Sequence, residues 1–342
     1  KPIVLLVILS ILLISCTGGP AVPYTYRPPA EAGDGLAVGT LEEVGIDQPL
    51  IGKAVGRILV GKHGEVHSML IVKDNQLVLE EYFPGHDYQW DAPGHHGRLV
   101  TWDRDETHIV MSAGKSVTSA CVGLAIDHGF IESVHQSIFD YLPEYQRYRS
   151  DGRDKITIEH LLTMTSGLEW KEWGASNTSM DSDLFKLWVA CEDQVACTLE
   201  KPLIHEPGTT FNYSGGGMTV LGEIVKNATN MDIEAFCGQY LFEPLGAGPI
   251  EWRRFDSGLI STSGEQQMTP RDMAKFGLLY LNEGVWNGKQ IVPKAWVEKS
   301  ATPYAGNQRI KIPGEDVGRA GYSYSWWTKQ HSDSGRKLNT FW

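Results

Sequence analysis

The sequence predicts an α+β fold in which an antiparallel sheet is flanked by helices. Two β-rich runs at residues 68–83 flank a polar Lys-Asp-Asn-Gln turn, which is the pattern of a hairpin. Residues 322–327 alternate as in a strand, and several apolar runs between them have helix start and stop residues. The 342 residues, 42% hydrophobic and 21% charged, suffice for one large domain or two.

The first 16 residues have the composition of a secretory signal, because their apolar run is too short for a comfortable membrane span. The run ends in Leu-Ile-Ser-Cys16, which resembles a bacterial lipobox. A lipid on Cys16 would anchor the protein to the cell envelope, and Thr17 favours the outer membrane, facing the periplasm. An ordinary signal peptide that contains a cysteine is the alternative. No Met precedes Lys1, so the numbering is expected to begin inside the signal.

Residues 17–45 are rich in Gly, Pro and Ala and predict a linker to a folded body at 46–342. Residues 46–59 predict a short amphipathic helix, and residues 84–108, with Pro, Gly and many charges, predict an irregular segment. Its paired His95 and His96 are predicted to be solvated, since adjacent side chains rarely point at one ion. No CxxC or HExxH pattern occurs, and neither a metal site nor a cofactor is predicted.

A serine stands three residues before a lysine, at Ser112 and Lys115, where an apolar run predicts a helix that stops at Gly129. In a helix the two side chains share one face about one turn apart. Ser112 would lie at the helix N-terminus, where free N–H groups and the dipole favour negative charge. These are the components of an acyl-transfer nucleophile. A snorkelling surface lysine explains Lys115 equally well from the local sequence.

The Ser-x-x-Lys spacing alone is weak, because Ser334 and Lys337 repeat it in a polar segment without a helix start. Only Ser112 stands just before an apolar helix. The Gly-x-Ser-x-Gly elbow of α/β-hydrolases does not occur in the chain. An Asp/His relay stays open, since several histidines have no assigned place.

The middle of the chain offers aromatic candidates for a cleft. The loop at 169–182 contributes Trp170 and Trp173 as a wall or lid. Tyr213 follows Glu-Pro-Gly and precedes three glycines, a turn that can project a phenol into a cleft, although a structural tyrosine fits just as well. Residues 258–263 are small and predict a flexible stretch. Further helices are predicted from Thr157 to about 163, at 183–190, at 218–227, and from Pro270 after the N-cap Thr269.

The cysteines and the net charge limit the possible functions. Cys191 and Cys197 bracket a short loop and are the predicted disulfide pair of an exported protein, with two free thiols as the alternative. Cys121 lies inside the apolar helix run and predicts a core thiol. The formal charge of −12 argues against nucleic-acid binding, which requires a basic face.

Five blocks occur in order along the chain: residues 112–119 (Ser-Ala-Gly-Lys-Ser-Val-Thr-Ser), 158–168, 206–222, 259–274 and 284–292. Together, over about residues 46–342, they resemble serine β-lactamase-like proteins and penicillin-binding proteins. Within that group the chain is most similar to the class C-related branch of esterases and 6-aminohexanoate-dimer hydrolase-like amidases. The resemblance implies a β-lactamase/D-alanyl-peptidase-like fold, with a mostly helical subdomain at about 112–254 and the active site between it and the sheet.

The resemblance also implies a hydrolase that cleaves a small-molecule ester or amide. Ser112 would attack the carbonyl and form an acyl-enzyme, Lys115 would help to deprotonate it, and Tyr213 would carry protons to the leaving group and then from water. One oxyanion donor would be the Ser112 N–H. The second would come from a strand with a Lys/His-x-Gly motif, which is expected beyond Trp342, so the sequence is expected to be truncated there.

One departure from the family pattern bears on the substrate. Gly215 stands where class C β-lactamases carry the Asn of Tyr-x-Asn, an amide suited to holding a substrate acylamide group. Its loss favours an ester or small amide, with Gly215, Trp170 and Trp173 as predicted substrate-binding residues. A D-alanyl peptidase or β-lactamase acting on cell-wall-type amides is one alternative. A non-catalytic binding lipoprotein of the envelope is the other.

Overall fold

The computed structural model describes residues 24–176, 178–333 and 335–342. The predicted signal peptide, Cys16, the start of the linker and Ser334 lie outside the described residues. The fold is α+β, as predicted. The helices are α1 (Gln48–Leu59), α2 (Gly114–Asp127), α3 (Ile158–Leu162), α4 (Asp183–Val189), α5 (Gln194–Leu199), α6 (Gly215–Thr229), α7 (Ile233–Cys237), α8 (Glu243–Leu245), α9 (Pro270–Leu281) and α10 (Lys294–Ala301).

The strands are short and divide into five small sheets in the described part of the chain. They are β1 (Ala37–Val38), β2 (Ser68–Lys73), β3 (Gln76–Tyr82), β4 (Pro84–Tyr88), β5 (His96–Thr101), β6 (His108–Ile109), β7 (Glu251–Trp252), β8 (Gln266–Met268), β9 (Val285–Trp286), β10 (Lys289–Gln290), β11 (Ile310–Lys311), β12 (Arg319–Ser323), β13 (Trp326–Asp333) and β14 (Arg336–Phe341). The three-stranded sheet β1-β3-β2 and the four-stranded sheet β11-β12-β13-β14 lie towards the two ends of the described chain. Only β1 and β3 pair in parallel within these sheets. Because β1 falls within the predicted linker and pairs with β3, the linker prediction is wrong for its described part, where Leu41 and Val44 are also buried.

The predicted hairpin at 68–83 is confirmed as the antiparallel pair of β2 and β3. Asp74 and Asn75 form its turn with φ of 52° and 61°, and such turns match the twist of paired strands. The single strand predicted at 322–327 is wrong, because Tyr324 and Ser325 turn the chain with φ of 40° and 64°. The alternating pattern therefore runs across a hairpin of β12 and β13.

The irregular segment predicted at 84–108 is also partly wrong. Strands β4 and β5 form an antiparallel pair, from Pro84 opposite Thr101 to Tyr88 opposite His96. The connection between them spans residues 89–95. Polar side chains hide this hairpin from a hydrophobicity pattern, since little of it is buried.

Helix α2 forms the centre of the main core. Twelve of its 14 residues are buried, and it packs against α6 and α7. Cys121 on α2 is bonded to Cys237 on α7, with the two Cα atoms 5.7 Å apart. The prediction of a free core thiol is therefore wrong, because packing two helices brings together cysteines that lie 116 residues apart. A second disulfide joins Cys191 and Cys197 across a short connection, with Cα atoms 6.2 Å apart.

The helix starts follow local capping rules. Thr157 and Thr269 accept hydrogen bonds from the backbone N–H groups of His160 and Asp272, as their N-cap roles predict. Helix α6 begins at Gly215, three residues before its predicted start, because Ser214 caps it through the N–H of Gly217. None of the helices within the described residues has the length and apolar character that crossing a membrane would require.

Candidate active site

Ser112 occupies a strained turn immediately before α2. It lies in a 3₁₀ turn, Met111–Ala113, and is exposed. Met111 has φ of 44°, a conformation that is costly for a residue other than glycine. Gly264 packs against this turn so closely that an added Cβ would lie 2.4 Å from the Met111 carbonyl oxygen. Contact with Gly264 thus stabilises the strained turn, and Ser112 within it is exposed to solvent.

Lys115 lies one turn further along the chain and is 1% exposed. Its Nζ donates hydrogen bonds to Ser112 Oγ at 3.0 Å and to the Ser263 carbonyl oxygen at 2.5 Å. The interpretation of Lys115 as a snorkelling surface lysine is therefore wrong. The stretch at 258–263, predicted to be flexible, is instead buried at residues 261–263 and supplies this second acceptor.

The charge state of Lys115 follows from its surroundings. Burial alone would lower the pKa of its ammonium group, but Tyr213 and the carboxylates of Glu172 and Glu265 raise the pKa above its usual value. These neighbours therefore favour the charged form of Lys115. A cation in hydrogen-bond contact with Ser112 Oγ stabilises negative charge that develops on that oxygen.

Tyr213 borders the same group, with the centre of its ring 4.9 Å from Lys115 Nζ. Its ring lies nearly parallel to Trp173, at 5.2 Å between centres, and to Trp327, at 6.1 Å. Phe211 and Tyr322 complete this aromatic cluster. Packing within this cluster fixes the ring of Tyr213 beside the Ser112–Lys115 pair. Trp173 is part of the same cluster.

Trp170, predicted to line the cleft, lies in the core instead. It is 6% exposed and packs with Leu187 and Phe255. Its indole fills the space next to Gly216, where an added Cβ would lie 2.6 Å from the ring. Trp170 therefore packs against the start of α6 at Gly216. Trp173, three residues later in the same loop, is the tryptophan that stacks on Tyr213.

The side chain of Glu172 lies next to Gly215, the position at which class C β-lactamases carry an asparagine. Its Oε2 accepts hydrogen bonds from the Gly215 N–H at 2.7 Å and from Trp170 Nε1 at 2.9 Å. A Cβ on residue 215 would lie 2.8 Å from Leu184 and 3.2 Å from Glu172 Oε2. A larger side chain cannot enter there without rearrangement, so a buried carboxylate takes the place of an amide.

A cavity of about 500 Å³ opens in front of Ser112. Its aromatic lining includes Trp90 and Trp188, and the Arg253 guanidinium lies 5.4 Å from the Trp188 ring centre. Glu265 lies on the same wall, and burial raises the pKa of its carboxyl group against the opposing effects of Ser261, Lys115 and Arg253. A second, mainly apolar cavity of about 560 Å³ reaches Ser112 from the side of Tyr213 and Trp327.

Sequence reasoning missed Glu172, Arg253, Ser263 and Glu265 as parts of this site. Glu172 was in the sequence only two residues after Trp170, but acidic residues in a loop carry no local signal of burial. The four small residues Ser261–Gly264 did offer a signal, since a run of small side chains is also the pattern of tightly packed backbone.

An α+β fold that brings an exposed serine, a buried lysine and a tyrosine to one cleft defines the class of active-site serine proteins. The sequence matches the Beta-lactamase family over residues 62–342, and the chain belongs to that family.

The relatives carry different names within this family. The chain is 28% identical over 234 residues to 6-aminohexanoate-dimer hydrolase of Paenarthrobacter ureafaciens, covering 65% of this chain and 58% of that protein. It thus spans less than two thirds of that relative's length. It is 30% identical over 140 residues to Esterase EstB of Burkholderia gladioli, covering 38% and 33% of the two chains. The fold is similar to an octameric penicillin-binding protein homologue from Pyrococcus abyssi, with a TM-score of 0.61, 21% identity, and 85% and 66% coverage.

Proposed function

We propose that this chain is a serine hydrolase that cleaves an ester or a small amide through an acyl-enzyme on Ser112. The observation that carries the proposal is the 3.0 Å contact between Lys115 Nζ and Ser112 Oγ at an exposed helix start. The names of the relatives, a dimer hydrolase and an esterase, support the same class of reaction.

In the proposed reaction Ser112 Oγ attacks the substrate carbonyl carbon and gives up its proton. The Lys115 ammonium lowers the cost of the negative charge on Oγ, and Tyr213, beside Lys115, acts as a proton relay: as its phenol oxygen accepts the proton from Ser112, its own proton passes to the leaving alcohol or amine. Collapse of the tetrahedral intermediate breaks the bond to that leaving group and forms the acyl-enzyme. Water then attacks the ester carbon, and its proton returns by the same residues to Ser112.

The surroundings of Gly215 favour an ester or small amide over a β-lactam. No side-chain amide is available at that position, and the adjacent Glu172 carboxylate accepts hydrogen bonds but donates none when ionised. The cavity in front of Ser112 is lined by Trp90, Phe185 and Trp188, which suit an apolar or aromatic substrate group.

Covalent labelling tests the nucleophile directly. A fluorophosphonate probe should form one adduct per chain, and peptide mass spectrometry should locate it on Ser112. Ser112→Ala should abolish labelling and turnover of a p-nitrophenyl ester. Ser334→Ala, in the second Ser-x-x-Lys sequence, is the matched control and should retain both. Labelling that persists in Ser112→Ala would refute the proposal. Nitrocefin turnover exceeding ester turnover would instead favour a β-lactamase or D-alanyl peptidase, and ligand binding without turnover would favour a binding lipoprotein.

We also propose that a lipid on Cys16 anchors the chain to the outer membrane, facing the periplasm. The two disulfides support export, because such bonds persist in oxidising compartments. Cys16→Ala should abolish incorporation of labelled palmitate and move the protein from the membrane to the soluble fraction, measured in a host that expresses the gene with its native leader. Unchanged fractionation of Cys16→Ala would count against the anchor.

A further inference from the structure

Histidines are concentrated near the start of the folded body. Six of the chain's 11 histidines fall between residues 63 and 108. Two of them, His86 on β4 and His96 at the start of β5, meet Glu65 from the segment before β2. One possible ligand atom from each of these three side chains lies within 4.8 Å of the other two.

The carboxylate of Glu65 is already oriented by its neighbour. Its Oε1 lies 2.7 Å from His86 Nδ1, and its Oε2 accepts a hydrogen bond from the His86 backbone N–H at 2.8 Å.

Strand pairing brings the two histidines together. His86 on β4 lies opposite Leu99 on β5, Tyr88 lies opposite His96, and the register shifts between these two pairs. The imidazole rings of His86 and His96 are parallel within 2°, with centres 4.6 Å apart. His95 turns away, because its Nδ1 contacts the Trp90 carbonyl oxygen. The side chains of His95 and His96 thus point in different directions. Only His96 lies close to Glu65 and His86, which come from two other segments of the chain.

We propose that Glu65, His86 and His96 form a binding site for a divalent transition-metal ion, with Zn²⁺ as the best match. Two imidazole nitrogens and one carboxylate are a common zinc ligand set, and water would complete the coordination. Bonds of about 2.0–2.2 Å place ligand atoms roughly 3.4 Å apart in a tetrahedral site. Rotations of these partly exposed side chains achieve that spacing, and the metal replaces the proton between His86 and Glu65.

The position of this site suggests a consequence for the cleft. The hairpin of β4 and β5 also carries Tyr88, Trp90 and His95, which line the cavity in front of Ser112. A metal ion bound by Glu65, His86 and His96 would link Glu65 to β4 and β5 and so restrict movement of the hairpin residues that line the cavity. This consequence rests on the proposed hydrolase function, whereas the binding site itself does not.

Metal binding is measured first, without reference to activity. Full-length protein without a histidine tag is treated with EDTA, dialysed and titrated with ZnCl₂ in a calorimeter. One site per chain is expected, and Zn²⁺ should raise the unfolding temperature. His86→Ala, His96→Ala and Glu65→Gln should each weaken binding by about 100-fold. His95→Ala, next to His96 but outside the ligand set, should bind as the wild type does.

Equal affinity in His96→Ala and the wild type, or the absence of a saturable site, would overturn the proposal. Circular dichroism checks that each variant is folded. Co²⁺ provides a second readout, because tetrahedral coordination gives strong visible absorption that His86→Ala should lack. If p-nitrophenyl ester turnover is established, Zn²⁺ should lower KM with little change in kcat. A failed ester assay leaves the calorimetric result intact, so the two proposals fail separately.

Discussion

Replacing Lys115 by methionine should lower kcat/KM for ester hydrolysis roughly 10²–10³-fold, the range for losing a group that stabilises charge developing on an oxygen. Methionine keeps the length and volume of the aliphatic stem but removes the ammonium that contacts Ser112 Oγ. The fall should appear mainly in kcat, because Lys115 acts on charge that develops after the substrate is bound. Steady-state kinetics with a p-nitrophenyl ester measure it.

The chain offers a matched control in a second buried lysine. Lys275 on α9 is 2% exposed, but it contacts Asp272 at 3.2 Å and Asp34 at 3.6 Å instead of a reactive hydroxyl. Lys275→Met should therefore lower the free energy of unfolding and leave kcat unchanged below the unfolding transition. If Lys115→Met retained wild-type kcat while unfolding cooperatively, Lys115 would be a structural residue and the proposed mechanism would be wrong.

Local sequence rules predict the centre of the site well because its main contact is local. Ser112 and Lys115 are one helical turn apart, so helix geometry alone brings them onto one face. The N-caps Thr157 and Thr269 are local for the same reason. The family resemblance adds Tyr213, which is about a hundred residues away and which no spacing rule relates to Ser112.

The residues that sequence reasoning missed are those whose neighbours depend on tertiary packing. Glu172 meets Gly215 only after α6 docks on the loop at 169–182. His86 and His96 meet through the pairing of β4 and β5, which hydrophobicity cannot predict when both strands are polar. Cys121 and Cys237 are joined in the same way by helix packing. In each case the local sequence gives no sign that the side chain has a special role, because its partner lies far away in the chain.

Arg271, the second residue of α9, forms the most highly connected buried ion pair that we find in the described part of the chain. It makes two parallel hydrogen bonds to Glu80 on β3, from Nε and Nη2, each 2.7 Å long. Its Nη1 also contacts Asp34 Oδ1 at 3.1 Å, and Nη2 donates to the Ala30 carbonyl oxygen. The N-terminal segment, the first hairpin and α9 are therefore joined at one guanidinium group.

Arg271→Met should destabilise the fold by about 3–5 kcal/mol, because removing one partner leaves buried charge uncompensated. Urea unfolding measures this loss. The matched control is Lys294→Met, whose partner Glu283 is 2.6 Å away but whose pair is exposed, at 53% and 60% of the two side chains. That variant should lose less than about 1 kcal/mol. Equal effects of the two substitutions would contradict the assignment of Arg271 as a structural centre.

The pH dependence of unfolding tests the same network from its carboxylates. Burial alone would raise the pKa of the Glu80 carboxyl, but its hydrogen bonds to Arg271 lower the pKa by more. Burial would likewise raise the pKa of Asp34, and there Lys275 and Arg271 together outweigh it. Both pKa values therefore lie below the ordinary carboxyl range. Groups with lowered pKa stabilise the fold above the unfolded value, about 4, and lose that contribution as pH falls through the folded value. The difference in stability between the wild type and Arg271→Met should therefore be full at pH 7 and shrink below about pH 4. A difference that stays constant down to pH 2.5 would mean that Arg271 acts through packing of its stem instead of through charge.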